Sequence, residues 1–409
     1  MTSKQTEVLS GDGLNTILAR ESELQFEMGG PVYRLMQRIG LIKRDDPCIG
    51  RRIVCFLLIT WVPILLLTLI EGRALGPTPR ESFLLDFAAY ARFFLALPLL
   101  FLAEIIVGPR LRTAGLHFLR ANLVRSEDLP TVEAAITRVQ RRREALLPEL
   151  VIFGLIIVAV RYFNAETVSG VTATATWSTA ALKGGIGLTL AGIWYYFVAI
   201  PVMLFFFYRW LWRLIIWTLF LRDLSRLKLN LVATHPDRAA GLGFLGNAHI
   251  SLGIFAFGFS SVLSGTVAFQ VYFEAVPIDT FKVLYAVFLI VSELICLGPL
   301  LIFTPLLART RREGLRKYSI LANTYNSAFE QKWVAGEAPQ DEPLLGSGDI
   351  QSLADLGNSF GMIREMKPFP FSSQNIIQIA VIASLPGLPL IFLVMPVGEL
   401  LKLLAGAFL

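Results

Sequence analysis

Charged residues sit deep inside long apolar stretches: Arg92 and Glu104 between Leu84 and Val107, and Glu293 near the middle of Phe281 to Leu307. An ionised side chain in hydrocarbon is costly and normally faces protein or water, so each is a candidate for lining an ion or proton route. Arg92 and Glu104 are twelve residues apart, about 18 Å on a straight helix, so each must look to another helix for a partner. Arg92 is a candidate partner in the same bundle. Structural contacts between helices account for these residues as well as conduction or a proton relay does, and a Glu293 relay needs a wet path.

A second concentration of special residues is the run from Thr234 to Leu245. Pro236 has no amide proton and biases His235 away from helix, the Asp237 side chain can accept from nearby backbone amides, and Gly241 and Gly243 permit positive φ. With Arg238, these residues end a basic helix and turn the chain back toward an apolar span. The structural reading is a tight turn that seats that span. The functional reading is a vestibule lined by His235, Asp237 and Arg238, in which a histidine titrates near neutrality.

Other chemistries are poorly served. His117, His235 and His249 have no HxxxH or HExxH spacing, and neither a GxSxG elbow nor a Walker A loop is present. The three cysteines, Cys48, Cys55 and Cys296, offer no CxxC pair or disulfide framework. No enzyme activity, metal or cofactor is therefore expected.

The elements that position these residues follow from composition. The 409 residues are 55% hydrophobic and only 17% charged, with mean hydropathy +0.61, whereas a soluble domain carries about 25% charge. The fold class expected is all-α, a polytopic membrane protein of about seven transmembrane helices with cytoplasmic helical extensions, because each apolar run suffices to cross about 30 Å of hydrocarbon. The divisions are a tail over 1–52, in which Leu14 to Phe26 reads as a short amphipathic helix, and a two-span hairpin over 53–107. A cytoplasmic loop over 108–147 carries a helix opened by Thr131. Three spans with the basic arm and turn fill 148–273, including an exposed loop from Asn164 to Gly184. A sixth span lies in 274–307. A cytoplasmic segment over 308–375 and a last span with an amphipathic tail over 376–409 complete the chain. The Trp194-Tyr195-Tyr196 cluster reads as interface belt and packing.

Most of the 37 basic residues lie in the tail and in the loops after spans two, four and six. Because Lys and Arg are retained on the cytoplasmic side, the N-terminus is expected in the cytoplasm and the C-terminus outside. That placement explains the net charge of +6 and disfavours nucleic acid; the expected partners are the lipid bilayer, a second copy or a cytoplasmic protein. The third span is short, and a re-entrant course there would break the scheme. Within the 308–375 segment, Ser347 or Asp349 can cap a helix whose Leu353, Leu356 and Phe360 recur at helical spacing.

The runs His235 to Leu245, Gly346 to Leu356 and Met366 to Phe371 resemble those of uncharacterised polytopic inner-membrane proteins of bacteria. The resemblance implies the architecture and a bacterial inner-membrane setting, and no mechanism. Two functions are then expected as alternatives: a channel-like or transporter-like route for an ion or small solute lined by Glu293, Glu104 and Arg92, or a membrane-anchored scaffold or sensor that docks a cytoplasmic partner.

Overall fold

In hydrocarbon each backbone N–H and C=O must be satisfied within the chain, which for apolar runs of this length means helix. A computed structural model of the chain describes residues 24–26, 29–43, 46–169, 175–182, 185–339, 342–343 and 346–394. After a short helix α1 (Pro31–Arg38) come α2 (Ile49–Ile70) and α3 (Phe87–Arg120). Next are α4 (Leu129–Glu144) and α5 (Leu146–Ser169), then a hairpin of β1 (Thr179–Leu182) and β2 (Gly185–Leu188). The remaining elements are α6 (Leu190–Ser225), α7 (Phe244–Glu274), α8 (Ile278–Val334), α9 (Gly348–Arg364) and α10 (Ser373–Leu393). Among the described residues six helices are long and apolar enough to cross a bilayer, or seven when α4 and α5, bent by 45° at their junction, count as one span.

The ends of these helices gather into two groups. At one, the basic face, Arg138 pairs with Asp223 at 3.0 Å, Asn230 N–H donates to Leu123 O at 2.8 Å and Lys367 N–H donates to Arg238 O at 2.7 Å. Gly30 N–H donates to Glu144, and Arg311 donates to Arg364 O at 2.8 Å. At the other, the hairpin face, Leu190 N–H donates to Glu71 at 2.7 Å, Arg73 donates to Thr176 O at 2.8 Å and Arg80 pairs with Glu274 at 2.5 Å. Since α5 starts where Glu149 accepts from Val32 N–H, and leads to the segment around Thr176, it joins the two faces.

Several local expectations are corrected. Leu24 to Phe26 are not helical, and residues before Leu24 lie outside the described set. Leu24 and Phe26 are buried, Phe26 with its ring 5.1 Å from that of Trp217, so this part of the tail is core. Within the expected loop, Thr179–Leu182 pairs with Gly185–Leu188 as an antiparallel hairpin, and Trp177 is buried with its indole N–H donating to Asp86 at 2.9 Å. Helix α4 begins at Leu129, with Pro130 in its first turn, so Thr131 lies inside it. Ser347 stands at the N-cap of α9, yet its hydroxyl makes no bond among the described residues. Asp349 accepts from Lys332 and Trp333, both at 2.9 Å. The amphipathic tail expected after Val397 lies outside the described residues.

Helix α7 is the spine. Ala256, Gly258, Ser260, Ser261 and Ser264 are buried, as expected where small side chains let backbones approach. A Cβ on Gly265 would lie 2.9 Å from the carbonyl of Phe87, so the α7–α3 crossing requires glycine there. His249, fully buried, joins three helices. The Trp217 indole, which can only donate, reaches its Nε2 at 2.8 Å, leaving Nδ1 to donate to Cys296 O at 2.6 Å.

Candidate functional site

The intramembrane charges are resolved separately. Glu104 is held by two arginines from other helices: Arg52 reaches both its oxygens, and Arg213 donates to Oε1 through both terminal nitrogens at 3.2 Å. Arg52 is fully buried, Glu104 is 8% exposed and Arg213 5%. The guanidinium of Arg52 lies 4.5 Å from the Phe101 ring centroid and that of Arg213 4.6 Å from that of Trp210, so aromatic faces hold part of the excess positive charge. Arg209, on the same face of α6 one turn earlier, is also buried and donates to Gly29 O. This ionic knot ties α2, α3 and α6 beside the tail. Arg92 is thus not the partner of Glu104. Of these arginines, Arg209 and Arg213 carry a signal in the sequence: their four-residue spacing puts both on one stripe of a helix.

Glu293 has no such support. Neither carboxylate oxygen has a hydrogen-bond partner among the described residues, and both are buried. The small cavity it faces, about 160 Å³, is lined otherwise by Leu294, Leu297, Gly298, Leu301, Phe371 and Ile376. That surrounding is apolar, unlike the wet path a relay needs. Arg92 and Glu293 line separate cavities, and Glu104 lines neither.

Two larger cavities contain polar groups, the first with a mainly polar lining and the second with a mixed one. The first, about 480 Å³ on the basic face, is built on the 234–245 turn and includes His117, Asn230, His235, Asp237, Gly241, Gly243, Asn247, Lys367, Gln374 and Asn375. The turn is organised by one carboxylate. Asp237 accepts from the amides of Ala239 at 2.8 Å, Gly241 at 3.1 Å and Gly243 at 2.8 Å, and His235 Nδ1 lies 2.8 Å from it. Burial acts to raise the Asp237 pKa, but these amides and the imidazole outweigh it and hold the carboxyl below its ordinary value. Gly241 takes φ +94°, and Arg238 and Ala240 are held at φ 56° and 55°, a conformation costly for side chains with a Cβ. Arg238 points outward to Glu365 at 3.0 Å and does not line the cavity.

The sequence runs singled out on either side of α8 meet here. Lys367 N–H donates to Arg238 O, Gly246 N–H donates to Pro370 O at 3.2 Å, and Asn375 donates to Asn247 at 3.1 Å. Ser372 and Asn375 form a reciprocal cap that starts α10 at the cavity wall. The pivot turn is therefore both a structural seat and the wall of a polar vestibule.

The second cavity, about 580 Å³ on the hairpin face, is lined by Arg80, Asp86, Arg92, Trp177, Tyr195, Tyr196, Phe269, Gln270 and Glu274 among others. Arg92 donates to the Tyr195 hydroxyl at 2.5 Å. Each partner sits in a π-helical turn, Ala91–Ala96 in α3 and Tyr195–Ala199 in α6, and each lies six residues before a proline, Pro98 or Pro201. Proline lacks the N–H of the normal ladder and its ring crowds the preceding turn; a widened turn just before it accommodates both. Proline in spans two and four was legible in the sequence, whereas the paired π-turns that aim Arg92 at Tyr195 were not.

Among the described residues, no group of three or more His, Cys, Asp or Glu is placed to hold a metal ion. No protein-family model matches the chain, and neither the curated proteins nor the solved structures contain a match to it.

Proposed function

We propose that this integral membrane protein provides a gated route for an ion or small solute. The observation that carries the reading is a pair of cavities bearing polar and charged groups at opposite ends of one helix: Asn247 of α7 lines the first and Gln270 the second, a separation of roughly 35 Å by helical rise. Between them Leu252, Ala256, Ser260 and Ser261 are buried, so the route is closed in this conformation. The basic face is the cytoplasmic one on this reading, and the resemblance of the turn and 346–371 runs favours a bacterial inner membrane. Arg92 stands at the outer cavity, and the Asp237 turn forms the inner wall.

The test is flux through proteoliposomes, with monovalent cations, chloride and small organic anions as probes. Flux above protein-free vesicles that Arg92→Gln reduces is the expected result. No flux for any probe, under either sign of membrane potential, would remove the reading.

A scaffold function has its own support. Beyond Leu307, α8 continues to Val334 outside the bundle and packs against α9, with Ile320 64%, Leu321 51%, Val334 76% and Ile350 45% exposed. Cross-linking from Leu321 in cells distinguishes it: a defined adduct lost in Ile320→Glu supports docking, and identical products from both chains oppose it.

A further inference from the structure

The cavity on the hairpin face is lined by two arginines, Arg80 and Arg92, and two carboxylates, Asp86 and Glu274, and Arg92 makes no direct ion pair among the described residues. Arg92 carries five N–H donors, and its described contacts are one hydrogen bond to the Tyr195 hydroxyl and an approach of 5.5 Å to the same ring. Of the two carboxylates that share the cavity, Glu274 is held in an ion pair, and Asp86 is hydrogen-bonded to neutral donors without reaching Arg92 directly. Glu274 pairs with Arg80 at 2.5 Å, and Asp86 accepts from the Trp177 indole at 2.9 Å while capping α3 through Ala89 N–H at 3.0 Å. Arg92 lies five residues into α3, roughly 8 Å from its start, a depth at which a guanidinium needs a counter-charge or water. The arrangement is also held in place, because the π-turns fix both helices at this point and Gly265 brings α7 against α3.

We infer that this cavity is an anion-binding site, in which a carboxylate or phosphate group is taken by the outward donors of Arg92. The wall of Trp177, Tyr195, Tyr196 and Phe269 receives the apolar part of the same molecule. A planar guanidinium presents paired N–H groups that match a carboxylate or phosphate edge. The Gln270 side chain on α7 supplies a further amide donor at the rim. The ligand is thus a small amphiphilic anion, either a soluble organic acid or the headgroup of an anionic lipid. In the gated-route reading it is the transported solute, and only that role rests on the reading; binding does not.

The experiment uses the full chain in phosphatidylcholine nanodiscs, titrated calorimetrically with benzoate and with inorganic phosphate. A second arm adds phosphatidylglycerol to the nanodiscs and follows thermal unfolding. Wild type is expected to bind benzoate or phosphate saturably, or to be stabilised by phosphatidylglycerol; the arm that responds identifies the source. Arg92→Gln should weaken the response by at least about tenfold, the loss expected for a charge-assisted bond. Arg92→Lys should retain part of it, and Lys282→Gln, an exposed charge outside the cavity on the same face, should retain all. A monodisperse elution profile checks that each variant is folded. If no arm responds in wild type, or if Arg92→Gln and Arg92→Lys both bind as wild type does, the site is not there. Binding without flux leaves the anion site standing and removes the gated route, whereas flux that survives Arg92→Gln with no anion binding does the reverse.

Discussion

The ionic knot at Arg52, Glu104 and Arg213 and the lone guanidinium of Arg92 are both charges within helices that cross the membrane, and they have opposite surroundings. In the knot two guanidinium groups close on one carboxylate and stack on Phe101 and Trp210, with almost no exposure. Arg92 meets a phenol and an open cavity. The contrast teaches that charge inside a span is not one signal. Where opposite charges pair in a dry contact, the group holds helices together; where a charge lines a cavity with no direct ion pair among the described residues, donors are left for a ligand.

This contrast can be broken most directly at its dry end. Glu104→Gln leaves Arg52 and Arg213 buried without an anion and should destabilise the protein by about 3–5 kcal/mol, read as an earlier unfolding transition in mild detergent. A near-neutral result would show that water reaches the knot. The satisfied carboxylate of the turn comes next. Asp237→Ala orphans three backbone amides and should cost about 2–3 kcal/mol, with faster amide exchange at Gly241 and Gly243.

The same carboxylate gives a pH dependence of defined sign. Its folded pKa lies below the ordinary value, so its stabilisation is present at neutral pH and is lost as pH falls below about 4 and through the folded value. Exchange at Gly241 should therefore accelerate on acidification in wild type and not in Asp237→Asn; equal acceleration in both would assign it to another group.

At the wet end, Arg92→Gln should change stability by less than about 1 kcal/mol, since it removes one hydrogen bond beside a cavity. A loss as large as that of Glu104→Gln would erase the distinction between the two arginine sites. The smallest effect is expected at Glu293, where no partner is lost: Glu293→Gln should leave stability unchanged or raise it by up to about 1 kcal/mol. Destabilisation there would reveal a cation or water network against the carboxylate.

Much of the scaffold was legible in the sequence because hydrocarbon imposes length and apolarity on every span, and basic loops mark one face. The turn was legible too, since Pro236, Asp237 and Gly241 act through local backbone chemistry. What escaped depends on distant pairing. Nothing local in Arg52 says that it folds inward onto Glu104 rather than outward to headgroups. The strands Thr179–Leu182 and Gly185–Leu188 carry small residues whose alternation is too weak to read. Leu24 and Phe26 were masked by the polar tail around them, although their burial against Trp217 and Phe220 makes them core. For the candidate site, the residue types were visible, while their distribution over separate cavities needed the packing of α3, α6 and α7.

The stitching of Gly246 to Pro370 and of Asn247 to Asn375 has a consequence for how the chain is made. These contacts close over more than 120 positions, Asn247 to Asn375 being 128, so the mouth of α7 waits for its wall until translation reaches α10. A chain stopped before Ser372 would keep Pro370 for Gly246 yet leave Asn247 without Asn375. Helix α10 is thus the one that completes the vestibule.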